Sequence, residues 1–133
     1  VHCASTWPRS RCLSLLGQRT RELIREHHPT HCVVEGLFYA QNLRTALVMG
    51  EARGAIIAAV AEAGVEIYEL APRKVKQAIV GYGAAQKSAV AIMVQRMLNL
   101  SELPGPDAAD ALAIALAFVL ETGGCGLTTP NKL

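Results

Sequence analysis

Apolar residues recur at helical spacing from residue 9 to residue 28. Leu13, Leu16, Leu23 and Ile24 fall on one stripe, and Arg19, Arg21, Glu22 and Arg25 cover the rest, which predicts an amphipathic helix. His28-Pro29-Thr30 stops it, because the residue before a proline is steered away from helical dihedrals. His31-Cys32-Val33-Val34-Glu35 is a short β-rich run ending in an acid. Its successive valines predict burial on both faces, as in an interior parallel strand. Asn42 is placed to cap a helix running to about Glu62, with Leu43, Leu47, Gly50, Gly54 and Ile57 along one face. Gly64 ends that helix, and Val65–Leu70 alternates as a strand. Pro72 opens a short basic helix carrying Arg73, Lys74 and Lys76. Gly81-Tyr82-Gly83 is a turn, too sparse in glycine for a phosphate loop. A helix over 85–99 follows, its core stripe including Val90, Met93, Val94 and Met97. Pro106 starts a last helix whose body is alanine, leucine and isoleucine, small enough to lie close against another backbone. Three glycines and a proline in the eight residues from Gly123 predict a loose tail over 123–133.

The order helix, strand, helix, strand, helix, helix, helix is α/β, with a βαβ connection of the right-handed kind. At 133 residues, 51% hydrophobic and 18% charged, residues 1–133 read as a single domain with a real core. A net charge of +2 permits a nucleic-acid partner without arguing for one, so any basic surface is local. The apolar runs are too short and too interrupted by charge to span a bilayer as helices. The start shows no basic segment followed by an apolar one. The four cysteines, Cys3, Cys12, Cys32 and Cys125, have no zinc-type spacing with the histidines, and a reducing cytoplasm is the simplest home.

The candidate chemistry begins with Asp107 and Asp110, three apart at the start of the last helix and so on one face. Taken alone they are ordinary: Asp107 complements the helix dipole and Asp110 is a solvated side chain. A third acid, Glu35, ends a predicted strand, where open α/β sheets place their sites. Three such carboxylates suit a divalent cation such as Mg²⁺, which takes hard oxygen ligands. Gly36–Gln41 holds Phe38 and Tyr39 beside Glu35, an aromatic pair that either stacks on unpaired bases or packs beneath the loop. Gly50 and Gly54 leave a flat strip for the core sheet or a partner subunit.

Glu35-Gly-Leu-Phe-Tyr-Ala-Gln-Asn, then Gly50-Glu51-Ala52-Arg53-Gly54, then Pro72-Arg73-Lys74-Val75-Lys76-Gln77 with Gly81-Tyr82-Gly83 and Lys87-Ser88, then Asp107-Ala108-Ala109-Asp110-Ala111-Leu112-Ala113 occur in the order and spacing of the RuvC family of Holliday junction resolvases. The ordered set is specific and spans residues 9–122. The resemblance implies a ribonuclease H-like α/β fold, a mixed sheet flanked by helices, with N-terminal strands missing or incomplete. It implies a homodimer that nicks two opposed strands of a four-way DNA junction in recombination and repair. The family's complete site takes two Mg²⁺ per subunit, and the family works with a branch-migration motor of the RuvA and RuvB type.

By the same resemblance Glu35, Asp107 and Asp110 fall among the metal-binding carboxylates, and Lys76 and Lys87 match lysines of catalysis or DNA contact. Phe38 matches an aromatic that engages bases at the crossover. The full set of candidate DNA-contacting residues is Phe38, Tyr39, Asn42, Arg44, Arg53, Arg73, Lys74, Lys76 and Lys87. The family's fourth carboxylate, an Asp in an Asp-Pro-Gly motif on its first strand, has no counterpart here. Only the strands at 31–35 and 65–70 are clear, with residues 1–5 as a candidate remnant of another. The expectation is therefore a resolvase chain inactive or severely weakened as written, against the alternative of a non-catalytic DNA-binding or dimerisation remnant.

Overall fold

The computed structural model describes residues 3–36, 42–125 and 130–133. Among the described residues five helices and three strands follow in order: α1 (Arg9–His27), β1 (His31–Glu35), α2 (Leu43–Glu62), β2 (Glu66–Leu70), α3 (Pro72–Val80), α4 (Lys87–Met97), α5 (Pro106–Leu120) and β3 (Asn131–Lys132), with a π-helical turn at Glu121–Cys125. The chain divides into two compact units, Val1–Cys32 with Phe38–Ile67, and Val33–Leu37 with Tyr68–Leu133.

In the first unit α1 and α2 lie side by side. Arg9 pairs with Glu51 at 3.2 Å and Arg21 with Glu62 at 2.9 Å. These contacts advance together along both helices, so the two run in the same direction. Between them sits Gly17, the buried residue of α1, where an added Cβ would lie 3.8 Å from the Ala55 carbonyl oxygen. The close-approach glycine is thus Gly17. Gly50 and Gly54 are exposed, and no described atom lies within 4 Å of a Cβ built on either. Their strip meets no described backbone, and Leu43 and Leu47 beside it are 77% and 55% exposed. Leu23 also leaves the expected stripe, at 55% exposed, because α1 packs through Gly17 and its neighbours. α1 ends where His28 turns left-handed (φ 46°) and donates its N–H to the Ile24 carbonyl. At the start of α2 the Asn42 side chain accepts the Thr45 N–H, the predicted cap.

In the second unit α3, α4 and α5 surround a core of Leu70, Val75, Ile79, Ala85, Val90, Val94, Ala113, Ala117 and Phe118. The buried residues of α5 are Ala109, Ala113, Ala117 and Phe118, an alanine stripe at spacing four. Phe118 meets Tyr68 of β2 with ring centroids 4.9 Å apart, a tilted geometry that aromatic quadrupoles favour. Met97 departs from the predicted stripe, 40% exposed at the last position of α4.

The strands form one mixed sheet in the order β1-β2-β3. β3 pairs antiparallel with β2, Tyr68 opposite Lys132 and Glu69 opposite Asn131. Each of β1 and β2 carries residues of both units. Among the described strands β1 is terminal, not interior, and Val33 and Val34 are half-buried. Ser5 and Thr6 form a turn, with the Trp7 N–H on the Ala4 carbonyl, and residues 3–8 carry no strand; the first two residues of the candidate remnant at 1–5 fall outside the described residues.

Candidate functional site

The site belongs to the second unit, where β1 ends and α3, α4 and α5 present their first turns. Glu35 is the last residue of β1 and is exposed. Its position is fixed from behind: the next residue, Gly36, is buried and donates its N–H to the Leu70 carbonyl at 2.9 Å. Pro72 is the first residue of α3, which puts Lys76 one turn in. Lys87 is the first residue of α4. Pro106 is the first residue of α5, so Asp107 lies in its first turn and Asp110 one turn further.

These starts converge on a cavity of about 130 Å³ lined by Glu35, Lys76, Lys87 and Asp110, with Pro72, Val75, Val90, Ala113 and Ile114 as an apolar wall. The Lys87 Nζ donates to Asp110 Oδ2 at 2.8 Å, the side chains being 76% and 43% exposed. That hydrogen bond holds the Lys87 ammonium above the usual lysine range, helped by the Asp110 charge and by the negative charges of Glu35 and Asp107. Asp107 is exposed and does not line the cavity. An exposed pair of this kind adds little to stability; its importance is that four charged groups share one small space.

Carboxylate oxygens are the donors a hard divalent cation takes, and the carboxylates here fit one in chemistry. They are not gathered as a ligand cluster: among the described residues no group of three His, Cys, Asp or Glu side chains is placed to hold a metal ion. The Lys87 ammonium instead sits on the Asp110 carboxylate, the oxygen for which a cation would compete.

Of the remaining candidates, Arg73, Lys74 and Lys76 lie on α3, the first exposed and the others half-buried. Asn42 caps α2, and Arg44 and Arg53 lie on it, all in the first unit. Phe38 and Tyr39 fall outside the described residues. The apolar wall is not readable as site from the sequence. Val90 reads as core by periodicity, and only packing brings it and Val75 to the cavity.

An α/β protein with carboxylates and lysines in a cavity at a strand end is the class that this fold and site define. The chain belongs to the RuvC family: the family model described as crossover junction endodeoxyribonuclease RuvC matches residues 1–118. The crossover junction endodeoxyribonuclease RuvC of Pelotomaculum thermopropionicum is 44% identical over 110 residues, 82% of this chain and 66% of that protein. That of Akkermansia muciniphila is 47% identical over 110 residues, 83% of this chain and 66% of that protein. The matched span is thus just under two thirds of these relatives' length. The solved structure of Thermus thermophilus RuvC superposes on all of this chain and 79% of its own, with a TM-score of 0.88 and 35% identity. T. thermophilus RuvC in complex with a Holliday junction substrate matches with a TM-score of 0.88 and 33% identity, over 100% of this chain and 80% of that one. The fold is therefore the ribonuclease H-like one, as the motifs imply. Among the described residues no helix is long and apolar enough to cross a membrane.

Proposed function

We propose that this chain is a structure-selective endodeoxyribonuclease that hydrolyses strands at four-way DNA junctions, in recombination and repair, in the cytoplasm. The observation that carries the reading is the cavity in which Lys76, Lys87, Glu35 and Asp110 meet, on the fold of a relative solved with a Holliday junction.

Phosphodiester hydrolysis adds a water oxygen to phosphorus and releases a sugar oxygen. Mg²⁺ bound to Glu35, Asp110 and Asp107 would supply the Lewis acidity and charge compensation this needs, and two ions per subunit suit the full family site. The residues' own part follows from their charges. Lys76 and Lys87 neutralise the phosphate and fix its position. Asp110 accepts a hydrogen bond from Lys87 and orients its ammonium until substrate arrives. Arg73 and Lys74 extend the positive charge along α3 for flanking phosphates, and Asn42, Arg44 and Arg53, with Phe38 and Tyr39, are the further DNA contacts of the reading.

A homodimer places two such sites about a two-fold axis, matching a junction of like symmetry. The exposed strip of Leu43, Leu47, Gly50 and Gly54 on α2 is its surface. A branch-migration motor of the RuvA and RuvB type is the proposed working partner.

The test is incubation of a synthetic four-way junction, beside linear duplex of the same sequence, with Mg²⁺ and with EDTA. With the family's first-strand Asp absent, weak or no nicking by this chain is expected, and paired, junction-specific nicks that vanish in EDTA and in Asp110→Asn once an N-terminal segment carrying that Asp is added. Tight junction binding with no nicking even then, at any Mg²⁺ concentration, overturns the nuclease reading in favour of a DNA-binding module.

A further inference from the structure

We propose that Tyr82, on the connector between α3 and α4, is a nucleotide-stacking residue that selects distorted over duplex DNA; this rests on the junction reading above.

The connector is built to hold this ring out. Gly81 ends α3 in the left-handed region (φ 94°), with its N–H on the Gln77 carbonyl at 2.9 Å. Only glycine adopts that conformation without strain. Downstream, Ala85 is 1% exposed and pins the chain in the core. Between them Gly83 lies under the Arg73 side chain, so close that a Cβ there would come within 2.9 Å of Arg73 Nε and nearer still to Cγ. The turn is thus clamped on both sides of Tyr82, and the tyrosine itself is 56% exposed. The other described aromatics are engaged: Trp7 lies under the Arg11 guanidinium at 3.8 Å, and Tyr68 packs on Phe118. A ring on an anchored backbone loses little freedom when a base stacks on it.

Its place relative to the cavity gives it a partner. Lys76 lies four residues before the end of α3, and Lys87 opens α4, so this connector joins the two cations that line the cavity. The distance along α3 from Lys76 to Val80 is about 6 Å, the rise of about two nucleotides of one strand, so a strand with a phosphate held by the two lysines has its neighbouring nucleotides on the length scale of the connector that carries Tyr82. Stacking on a protein ring requires a base free of its own duplex stack, which a branch point supplies and linear duplex does not. The contact is indifferent to base identity, since every base has a π-face. It would add preference for structure, not for sequence.

The experiment is photocrosslinking in EDTA of the 133-residue chain to a four-way junction with 5-iododeoxyuridine at each crossover position. Trypsin then yields the peptide Gln77–Lys87, in which Tyr82 is the sole aromatic residue. An adduct on Tyr82 is expected. Tyr82→Ala should weaken junction binding about tenfold, the loss of one base–aromatic stack, and leave linear-duplex binding unchanged. Tyr82→Phe should restore junction binding, with thermal midpoints alike in all three proteins. A chain that binds the junction but crosslinks elsewhere, with Tyr82→Ala binding as tightly as wild type, overturns this inference alone. A chain that binds no junction overturns the junction reading and this inference with it.

Discussion

At the scale of single residues, the closest charge contact of the site is the Lys87–Asp110 pair. Lys87 is mostly exposed, yet the Asp110 carboxylate, with Glu35 and Asp107 behind it, raises its pKa. Because the folded value lies above the unfolded one, what Lys87 contributes to stability is fully present below the ordinary lysine range and is lost as pH rises through the folded value. Asp110→Asn removes the main cause, the carboxylate hydrogen bond, so the Lys87 pKa should fall back toward the ordinary lysine value, measured by NMR titration of its side-chain nitrogen. An unchanged value would show that Asp110 does not hold the ammonium in solution. Gly83 makes a steric counterpart. Gly83→Ala drives a methyl into the Arg73 stem and should cost about 1–3 kcal/mol in denaturant unfolding, as overpacking does. Arg73→Ala in the same chain should return most of it, which a double-mutant cycle reads directly.

At the scale of elements, α5 carries two tasks on one set of residues. Its first turn offers Asp107 and Asp110, and its body offers Ala109, Ala113 and Ala117 to the core. Spacing ties the two together. Asp110 and Ala113 both line the cavity, while Ala117, at 0% exposed, fixes how close the helix lies to its neighbours. Ala117→Leu adds volume to an interior already packed without voids. It should lower stability by about 1–3 kcal/mol and also weaken the Asp110–Lys87 pair, since moving the helix body moves its start. The measurements are the chemical-denaturation midpoint and the same Lys87 titration. A stability loss with the Lys87 value unmoved would show that the helix start is held independently of its body.

At the scale of the whole molecule, Leu43 and Leu47 on α2 are the exposed features that call for a partner, since contiguous apolar surface on a soluble chain marks an interaction face. The expected outcome is a dimer by sedimentation velocity, and a folded monomer for Leu47→Glu with unchanged circular dichroism. A monomeric wild type would remove the α2 strip as the dimer surface. Much of this architecture is legible in the chain itself. The order of elements, the Asn42 cap, Pro72 and Pro106 as first helical residues, and the alanine helix follow from local chemistry: capping, fixed proline dihedrals and side-chain size act within a few residues. Motif order also carries the family, because each motif fixes a local backbone to a local function. What sequence leaves open is every relation between distant segments. Periodicity assigns Leu23 and Met97 to core stripes and Val33–Val34 to an interior strand. Packing places Leu23 and Met97 outward, and β1 is terminal among the described strands. Two glycines four apart on α2 meet no described atom within 4 Å, while the close approach between α1 and α2 is made at Gly17. The acids and lysines are nameable one by one. That Lys87 spans to Asp110, while Asp107 stands off the cavity, is decided by where three helix starts meet. A sequence determines which groups a helix carries; only the tertiary structure sets the distances between groups on different helices, and the electrostatics of the site depend on those distances.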